Sequence, residues 1–512
     1  MKRVSFIDLG SNSARFVVME ISANGSYQLI YQQKEAIRLS EGMWEAQRLT
    51  QEAMDRAIAT LKNFAHMASV MEVHEIYAVA TAAVRLAHNG TAFIDRVKSD
   101  TGIDLQCISG EEEAYLGYLG VINTIGLTDF IMFDLGGASV EVSLVENRRV
   151  VQSVSLPMGA LTLTGSFQKS KEMTDVEAEK MCDHIRTVLS AERWLSGRKL
   201  PLIGVGGTAR NLAKIDQRAH DYPIAKLHNY RLSKERIEDI YNEVRTKKLA
   251  QRRKIQGLSS ERADIIIAGV ALIYELLKYT GAEEMRVSGS GLREGLFYRY
   301  YGEHYLNPDG VIDDILIHSA ENVLLGMPQN DLIHAKYIAN LADMLFEQWD
   351  AVYHWGPRAQ NLLKVASLLH DIGKRINYYS HARHSAYMIV NSNLYGLSHR
   401  EQVFCSFLAA FSHGSNSKFV KESPYGALLT EEDKVALTEI SLLLALAEAI
   451  DESHEQSAVS LSTVFTDNSI TITVWTKRDC NNSVAEVAVS KLYKQCKKDF
   501  KRDLSVKWRE AL

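Results

Sequence analysis

Short apolar runs at positions 3–9, 14–21 and 27–33 read as β-strands, and an apolar period near 3.6 residues from Thr50 to about Met67 reads as a helix. Further strands are expected at 75–80 and 103–108. Ser109 then opens a helix. Ser109-Gly110-Glu111-Glu112 has capping-box spacing, with Glu112 as the carboxylate that reaches back. From about residue 123 the pattern restarts. In its second strand Ser139, Glu141 and Ser143 fall on one face and Val140, Val142 and Leu144 on the other. A buried strand at 201–205 feeds Gly206-Gly207-Thr208 and a helix, and another at 285–287 feeds the glycine-rich stretch 288–291. Positions 310 to 460 are helical in pattern, with long runs at 332–349 and 361–370. The chain closes with a strand at 469–476 and a basic helix. Strands and helices mixed in this order indicate an α/β fold followed by an all-α region.

One motif occurs twice, 126 positions apart. Phe6-Ile7-Asp8-Leu9-Gly10-Ser11-Asn12-Ser13 and Met132-Phe133-Asp134-Leu135-Gly136-Gly137-Ala138-Ser139 are both apolar strands that end in Asp-Leu-Gly and turn into a second strand. Such a repeat predicts two related half-domains around one cleft. Small turn residues let the backbone approach a ligand, and successive N–H groups there can cradle an anion.

Composition narrows the class. At 512 residues the chain is too long for one core. Its 46% hydrophobic and 24% charged content is that of an ordinary globular protein, and a net charge of −5 excludes a globally basic nucleic-acid binder. Five scattered cysteines predict reduced thiols in a cytoplasmic setting. No leader pattern is read at the N-terminus, and no apolar run reaches the roughly 18 residues of a membrane helix.

Four glycine-rich turns follow strands, at 10–13, 136–139, 206–208 and 288–291. A single Gly-Gly pair is usually only a tight turn; four in one α/β unit make a case for a site that takes several phosphates. Gly207 and Thr208 stand at a helix N-terminus, a favourable anion position. Asp134 and Glu141 flank the second turn, where a divalent metal with phosphate is chemically reasonable and a solvated carboxylate is the plainer alternative. Glu113 is explained equally by the helix dipole or by a catalytic role. Arg85 offers either a bidentate phosphate contact or a surface ion pair.

These segments occur in an order that resembles the exopolyphosphatase / guanosine pentaphosphate phosphatase (Ppx/GppA) family. The match rests on Asp8–Ser13, Ala80-Thr81-Ala82-Ala83-Val84-Arg85, Ser109-Gly110-Glu111-Glu112-Glu113-Ala114, Asp134–Glu141, Gly204–Arg210 and Gly291-Leu292-Arg293-Glu294-Gly295. The resemblance implies two ribonuclease-H-like domains of the actin, sugar-kinase and heat-shock-ATPase superfamily, at 1–122 and 123–305, around a cleft. It further implies a helical HD-like domain at 306–465 and a small C-terminal α+β segment at 466–512. The implied reaction is release of terminal phosphate from inorganic polyphosphate or pppGpp with Mg²⁺. Glu113 would activate the attacking water, and Asp134 and Glu141 would bind the metal. Ser11, Asn12, Ser13, Arg85, Gly136, Gly137, Ser139, Gly206, Gly207 and Thr208 would hold phosphates. A homodimer is expected, with no membrane and no specific nucleic acid as partner. Ala138 stands where the family usually has a third glycine, which would be strained if the turn needs positive φ.

In the helical half, His334, His370-Asp371, His384, His413 and Asp451 occur in an order that resembles the metal ligands of HD phosphohydrolases. A second divalent metal there and a purely structural role are both open, since a lone helical histidine is more often a satisfied core residue. The basic end, from Lys491 to Arg509, is either a solvated face or an approach for a polyanion. Three further functions share parts of this pattern. A small-molecule kinase would need a base placed for a substrate hydroxyl and would form ADP only with its sugar. A binding sensor would hold polyphosphate without releasing phosphate. An HD-centred nucleotide hydrolase would depend on His370 and not on Glu113.

Overall fold

The repeated motif folds as a repeated hairpin. β1 (Lys2–Leu9) and β2 (Ser13–Ile21) pair antiparallel, with Asp8 opposite Arg15, and β3 (Tyr27–Ala36) continues the ribbon. α1 (Gln51–Val70), capped by the Thr50 hydroxyl, returns the chain so that β4 (Glu75–Ala80) can lie parallel to β1. β5 (Leu105–Cys107), shorter than its sequence suggested, completes a sheet of order β3-β2-β1-β4-β5. The computed structural model describes residues 1–43, 46–168, 172–414 and 417–511.

α2 (Gly110–Ile122) leads to the second sheet, which repeats the plan. β6 (Phe130–Leu135), β7 (Val140–Glu146) and β8 (Arg149–Leu156) form the antiparallel ribbon. β9 (Leu202–Gly206) then lies parallel to β6, and α3 (Gly207–Ala219) follows it directly. β10 (Tyr230–Ser233), α4 (Ile266–Thr280) and β11 (Glu284–Val287) give the order β10-β11-β9-β6-β7-β8. β6 and β7 are buried on both faces, so they read as apolar runs broken only by the polar positions that matter. The expected architecture of two related α/β sheets is what forms.

α5 (Leu292–Tyr305) packs along α2 at backbone distance. A Cβ on Gly295 would stand 1.8 Å from the Leu116 carbonyl oxygen, and one on Gly120 would stand 2.2 Å from that of Gly291. This closeness fixes α2, and with it Glu113. The Ser109 hydroxyl caps α2 by accepting from the Glu112 N–H at 3.0 Å. The reciprocal half of the expected capping box does not form, because the Glu112 carboxylate accepts instead from Arg299 on α5 at 2.8 Å.

The chain divides into two compact units, 1–313 and 314–512. The second contains α6 (Gln329–Tyr353), α7 (Pro357–Leu369), α8 (His381–Asn391) and α9 (Glu431–Ile450). Its sheet joins β12 (Ala458–Phe465), β13 (Ser469–Thr476) and β14 (Asp503–Glu510) in that order. The basic C-terminal stretch is therefore only partly helical. Leu504, Val506 and Trp508 alternate with exposed Ser505, Lys507 and Arg509, and that period of two pairs the segment parallel to β13. Arg502 is used in packing: it donates to the Tyr353 hydroxyl at 2.7 Å.

Gly295→Ala should destabilise the fold by roughly 1–3 kcal/mol, because α2 and α5 must separate to admit the methyl group. Thermal unfolding measures this, and an unchanged midpoint would contradict the close approach of the two helices.

Candidate active site

The two hairpin turns face one cavity of about 130 Å³. Ser11, Asn12 and Ser13 line it from the first turn, and Gly136, Gly137, Ala138 and Ser139 from the second. Gly206 and Gly207 close it at the N-terminus of α3, and Glu113 enters from the first turn of α2. Gly206 has φ +99°, and a Cβ there would stand 2.6 Å from the Leu135 carbonyl oxygen, so only glycine fits. Ala138 carries no positive φ, and the turn accepts it without strain. The closeness is achieved instead at Gly159, where a Cβ would meet the Gly137 carbonyl at 2.3 Å.

Strand register brings the carboxylates together. Asp134 sits directly opposite Glu141 in the β6–β7 ladder. Glu141 is 5% exposed, and its Oε1 accepts from the Ser139 hydroxyl at 2.7 Å and the Ser155 hydroxyl at 2.9 Å. Glu113 is tied to Arg85, with Nη1 3.1 Å from Oε2, and the same nitrogen donates to the Ile108 carbonyl at 2.7 Å. Burial, then the charges of Glu141 and Asp134, push the Glu113 carboxyl up to about 8 against the pull of Arg85. Burial and Glu141 push Asp134 up to about 6. Burial raises Glu141 as well, against the two serine hydroxyls. Burial also raises Asp8. Clustered carboxylates raised in this way are the donor set a hard divalent cation takes, because the cation replaces the protons they retain.

Two residues expected at the phosphates, Arg85 and Thr208, are not among the lining residues of the cavity. Arg85 does not line the cavity; it holds Glu113. The Thr208 side chain is buried under α4, against Gly269, which leaves its main-chain N–H in the first turn of α3 as the group it can offer. Sequence reading also missed four arginines. Arg15, Arg210, Arg262 and Arg293 all line the cavity, and the Arg262 guanidinium lies over Gly207, about 2.0 Å from where a Cβ would be. Burial, Arg15 and Arg293 together lower Arg210 to about 10. Arg210 and Arg293 stood inside glycine-turn segments already singled out, and Arg15 stood at the strand position opposite Asp8. Arg262 carried no local signal.

In the second unit, His334 on α6, His370 and Asp371 at the end of α7, and Glu448 on α9 each bring one donor atom within 4.8 Å of the others. Glu448 had no place in the expected ligand order. Asp451 lies beside the group and accepts from His334 Nδ1 at 3.1 Å. His413 stands outside it, its Nε2 3.3 Å from that of His381, and His384 on α8 is outside it too.

A model of the Ppx/GppA phosphatase family matches residues 17–304, and a model of domain III of that family matches residues 323–490. Among solved structures, the chain is similar to the Aquifex aeolicus member of the Ppx/GppA family, at 27% identity over 59% of this chain and 99% of that one, with a TM-score of 0.53. It is similar to an exopolyphosphatase from Cytophaga hutchinsonii at 28% identity, over 60% and 99%, with a TM-score of 0.56. An exopolyphosphatase-like protein at 21% identity and a TM-score of 0.53 shares the fold.

Because Glu113 and Asp134 keep their protons in the fold to about pH 8 and 6, the folded chain binds more protons than the unfolded chain from roughly pH 4 to 8. Stability without divalent cations should therefore fall as pH rises through that window. It should recover when Mg²⁺ is added, and Glu113→Gln should flatten the profile. Unfolding midpoints across pH, with chelator and with Mg²⁺, measure this; a profile unaffected by Mg²⁺ or by the substitution would contradict it.

Proposed function

The chain belongs to the Ppx/GppA phosphatase family, and we propose that it is an exopolyphosphatase, a hydrolase that releases the terminal phosphate of inorganic polyphosphate by direct attack of water. The observation that carries this reading is the groove adjoining the cleft, a space of about 530 Å³ that shares Arg15, Gly207, Arg210, Arg262 and Arg293 with it. Gln32, Gln33, Lys34, Asn211, Lys214 and Ser259 complete its lining. Cations and amides line it and no aromatic or large apolar side chain does, which suits successive phosphates better than a nucleoside.

Phosphoryl transfer to water needs an in-line nucleophile, a base, and positive charge or N–H donors on the transferring oxygens. Glu113 is the base, and takes a proton from the water at its carboxylate. Arg85 orients that carboxylate through the 3.1 Å ion pair. Main-chain N–H groups of the turns at 10–13 and 136–139 and the guanidinium groups of Arg15 and Arg210 bind the phosphate oxygens. Asp134 and Glu141 would hold Mg²⁺, which when bound offsets phosphate charge and helps order the water. The hydroxyls of Ser139 and Ser155 keep Glu141 turned toward Asp134. Ser11, Ser13, Thr81 and Ser139 are the hydroxyls at the cavity, and among the described residues no histidine lines it, which supports water over a covalent phosphoenzyme. pppGpp presents the same terminal anhydride, and its 5′-phosphatase reaction is the competing use of this site.

Glu113→Gln should lower kcat by about two to four orders of magnitude with substrate binding retained. Near-normal turnover would remove Glu113 from the reaction. Asp134→Asn and Glu141→Gln should each raise the Mg²⁺ concentration needed for half-maximal rate, and titrations that match the parent would exclude them as ligands. Phosphate release from long polyphosphate, short polyphosphate and pppGpp, measured in parallel, should favour polyphosphate. A higher kcat/KM for pppGpp would overturn the assignment.

A further inference from the structure

The cleft cavity has a neighbouring space on each side, and the two carry opposite charge. The basic groove is lined by Arg15, Lys34, Arg210, Lys214, Arg262 and Arg293, and among the described residues no carboxylate lines it. On the other side, a space of about 240 Å³ shares Asn12, Leu161 and Ile265 with the cleft. Its charged lining residues are Arg38, Glu41, Glu261 and Asp264, three carboxylates to one cation. The groove and this second space have no lining residue in common.

One short segment produces much of the contrast. Ser260–Arg262 is a single 3-10 turn. Arg262 lays its guanidinium over Gly207 and lines the cleft and the groove. Glu261 and Asp264, both exposed, line the opposite space. Asp264 is oriented there, because its Oδ1 accepts from the Ile265 N–H at 3.0 Å. Glu41 comes from the first half-domain and is held by Arg56 at 2.7 Å, which offsets part of its charge. Among the described residues, Glu261 and Asp264 have no ion-pair partner of this kind.

Polyphosphate carries negative charge on every unit. A unit in the groove meets guanidinium, ammonium and amide groups. A unit pushed past Asn12 would meet the apolar Leu161 and Ile265 and then three carboxylates. The space has volume to spare, so charge and not size excludes the chain. Like charges placed against a wrong register are a standard source of specificity.

We propose that Glu41, Glu261 and Asp264 are specificity-determining residues that keep an internal stretch of polyphosphate from lying across the cleft, so that only a chain end enters and the cut is terminal. This barrier rests on the exopolyphosphatase reading of the cleft. It acts by repulsion, and nothing binds at the acidic space. Without it, water deprotonated by Glu113 would attack an internal phosphorus. A P–O bond to the water oxygen would form, the P–O bond to one flanking unit would break, and two shorter chains would leave. The competing role for Glu261 and Asp264 is to keep Arg262 cationic: burial and Arg15 lower that group, and the two carboxylates pull it back up.

The test gives the whole chain and two variants long polyphosphate with Mg²⁺, either free-ended or blocked at both ends as phosphoramidates. Chain lengths are read on gels and orthophosphate is assayed alongside. Glu261→Gln/Asp264→Asn changes exposed side chains to isosteric amides, and Glu41→Gln does so independently from the other half-domain. The parent should release orthophosphate from free-ended chains and leave blocked chains whole. Each variant should produce intermediate-length fragments from blocked chains at least about tenfold faster than the parent. A parent that fragments blocked chains overturns the barrier. So do folded variants that still release orthophosphate and make no more fragments than the parent. A double variant that only slows orthophosphate release assigns Glu261 and Asp264 to Arg262 and also overturns it. A parent that releases phosphate from pppGpp and from no polyphosphate is a different pattern, which overturns the exopolyphosphatase reading and the barrier with it.

Discussion

The cleft depends on like charges held together by strand register. β6 and β7 place Asp134 and Glu141 side by side because residue pairing in an antiparallel ladder leaves them no other position. α2 brings Glu113 toward them, and α2 is fixed in turn by contacts with α5 that tolerate no side chain at Gly120 or Gly295. Burial and the neighbouring carboxylates raise Glu113 and Asp134, and burial raises Glu141. Across the same cavity, burial and neighbouring guanidinium groups lower Arg210 and Arg262. Each half carries the charge the other kind of ligand needs. On the proposed reading a divalent cation would offset the acidic side and a polyanion the basic side.

The internal repeat shows how one hairpin serves both purposes. Asp8 and Asp134 occupy the same place near the end of a central strand. Opposite Asp8 the ladder places Arg15, and opposite Asp134 it places Glu141. A single difference in the facing strand gives one hairpin an opposite-charge pair and the other a like-charge pair. Both pairs are carried on sheet, not on loop, so their separation is fixed by the ladder, which suits a reaction that is mainly positioning and charge stabilisation.

Much of this was legible in the sequence because it is local. The Asp-Leu-Gly turns, the Ser109 cap and the alternation of Ser139, Glu141 and Ser143 are read within a few residues, and the structure has them where the pattern put them. What escaped was non-local or depended on competition between partners. Glu112 satisfied the capping-box spacing, yet Arg299, 187 residues away, takes its carboxylate. Arg85 resembled a phosphate ligand, and its Nη1 is shared between the Ile108 carbonyl and Glu113. Arg262 joins the cavity only because Gly207 leaves room over its backbone. β14 reads with the basic helix because lysine and arginine on alternate positions mask the period of Leu504, Val506 and Trp508.

The two acidic centres differ in a way that bears on what each can do. The cleft carboxylates border an open cavity shared with glycine turns and arginines, so a cation held there would keep positions free for water and phosphate. The donors of the helical unit are sealed, and their outward nitrogens are already bound to Ser367 and Asp451. The place of Glu448 in this cluster follows from helix geometry. Glu448 and Asp451 are three residues apart near the end of α9, so they lie on one face, and each meets a different nitrogen of His334. The longer side chain of Glu448 spans the gap to His334 and His370, and the shorter Asp451 meets the far nitrogen of His334. Spacing along the chain could not separate these roles, because both residues satisfy it.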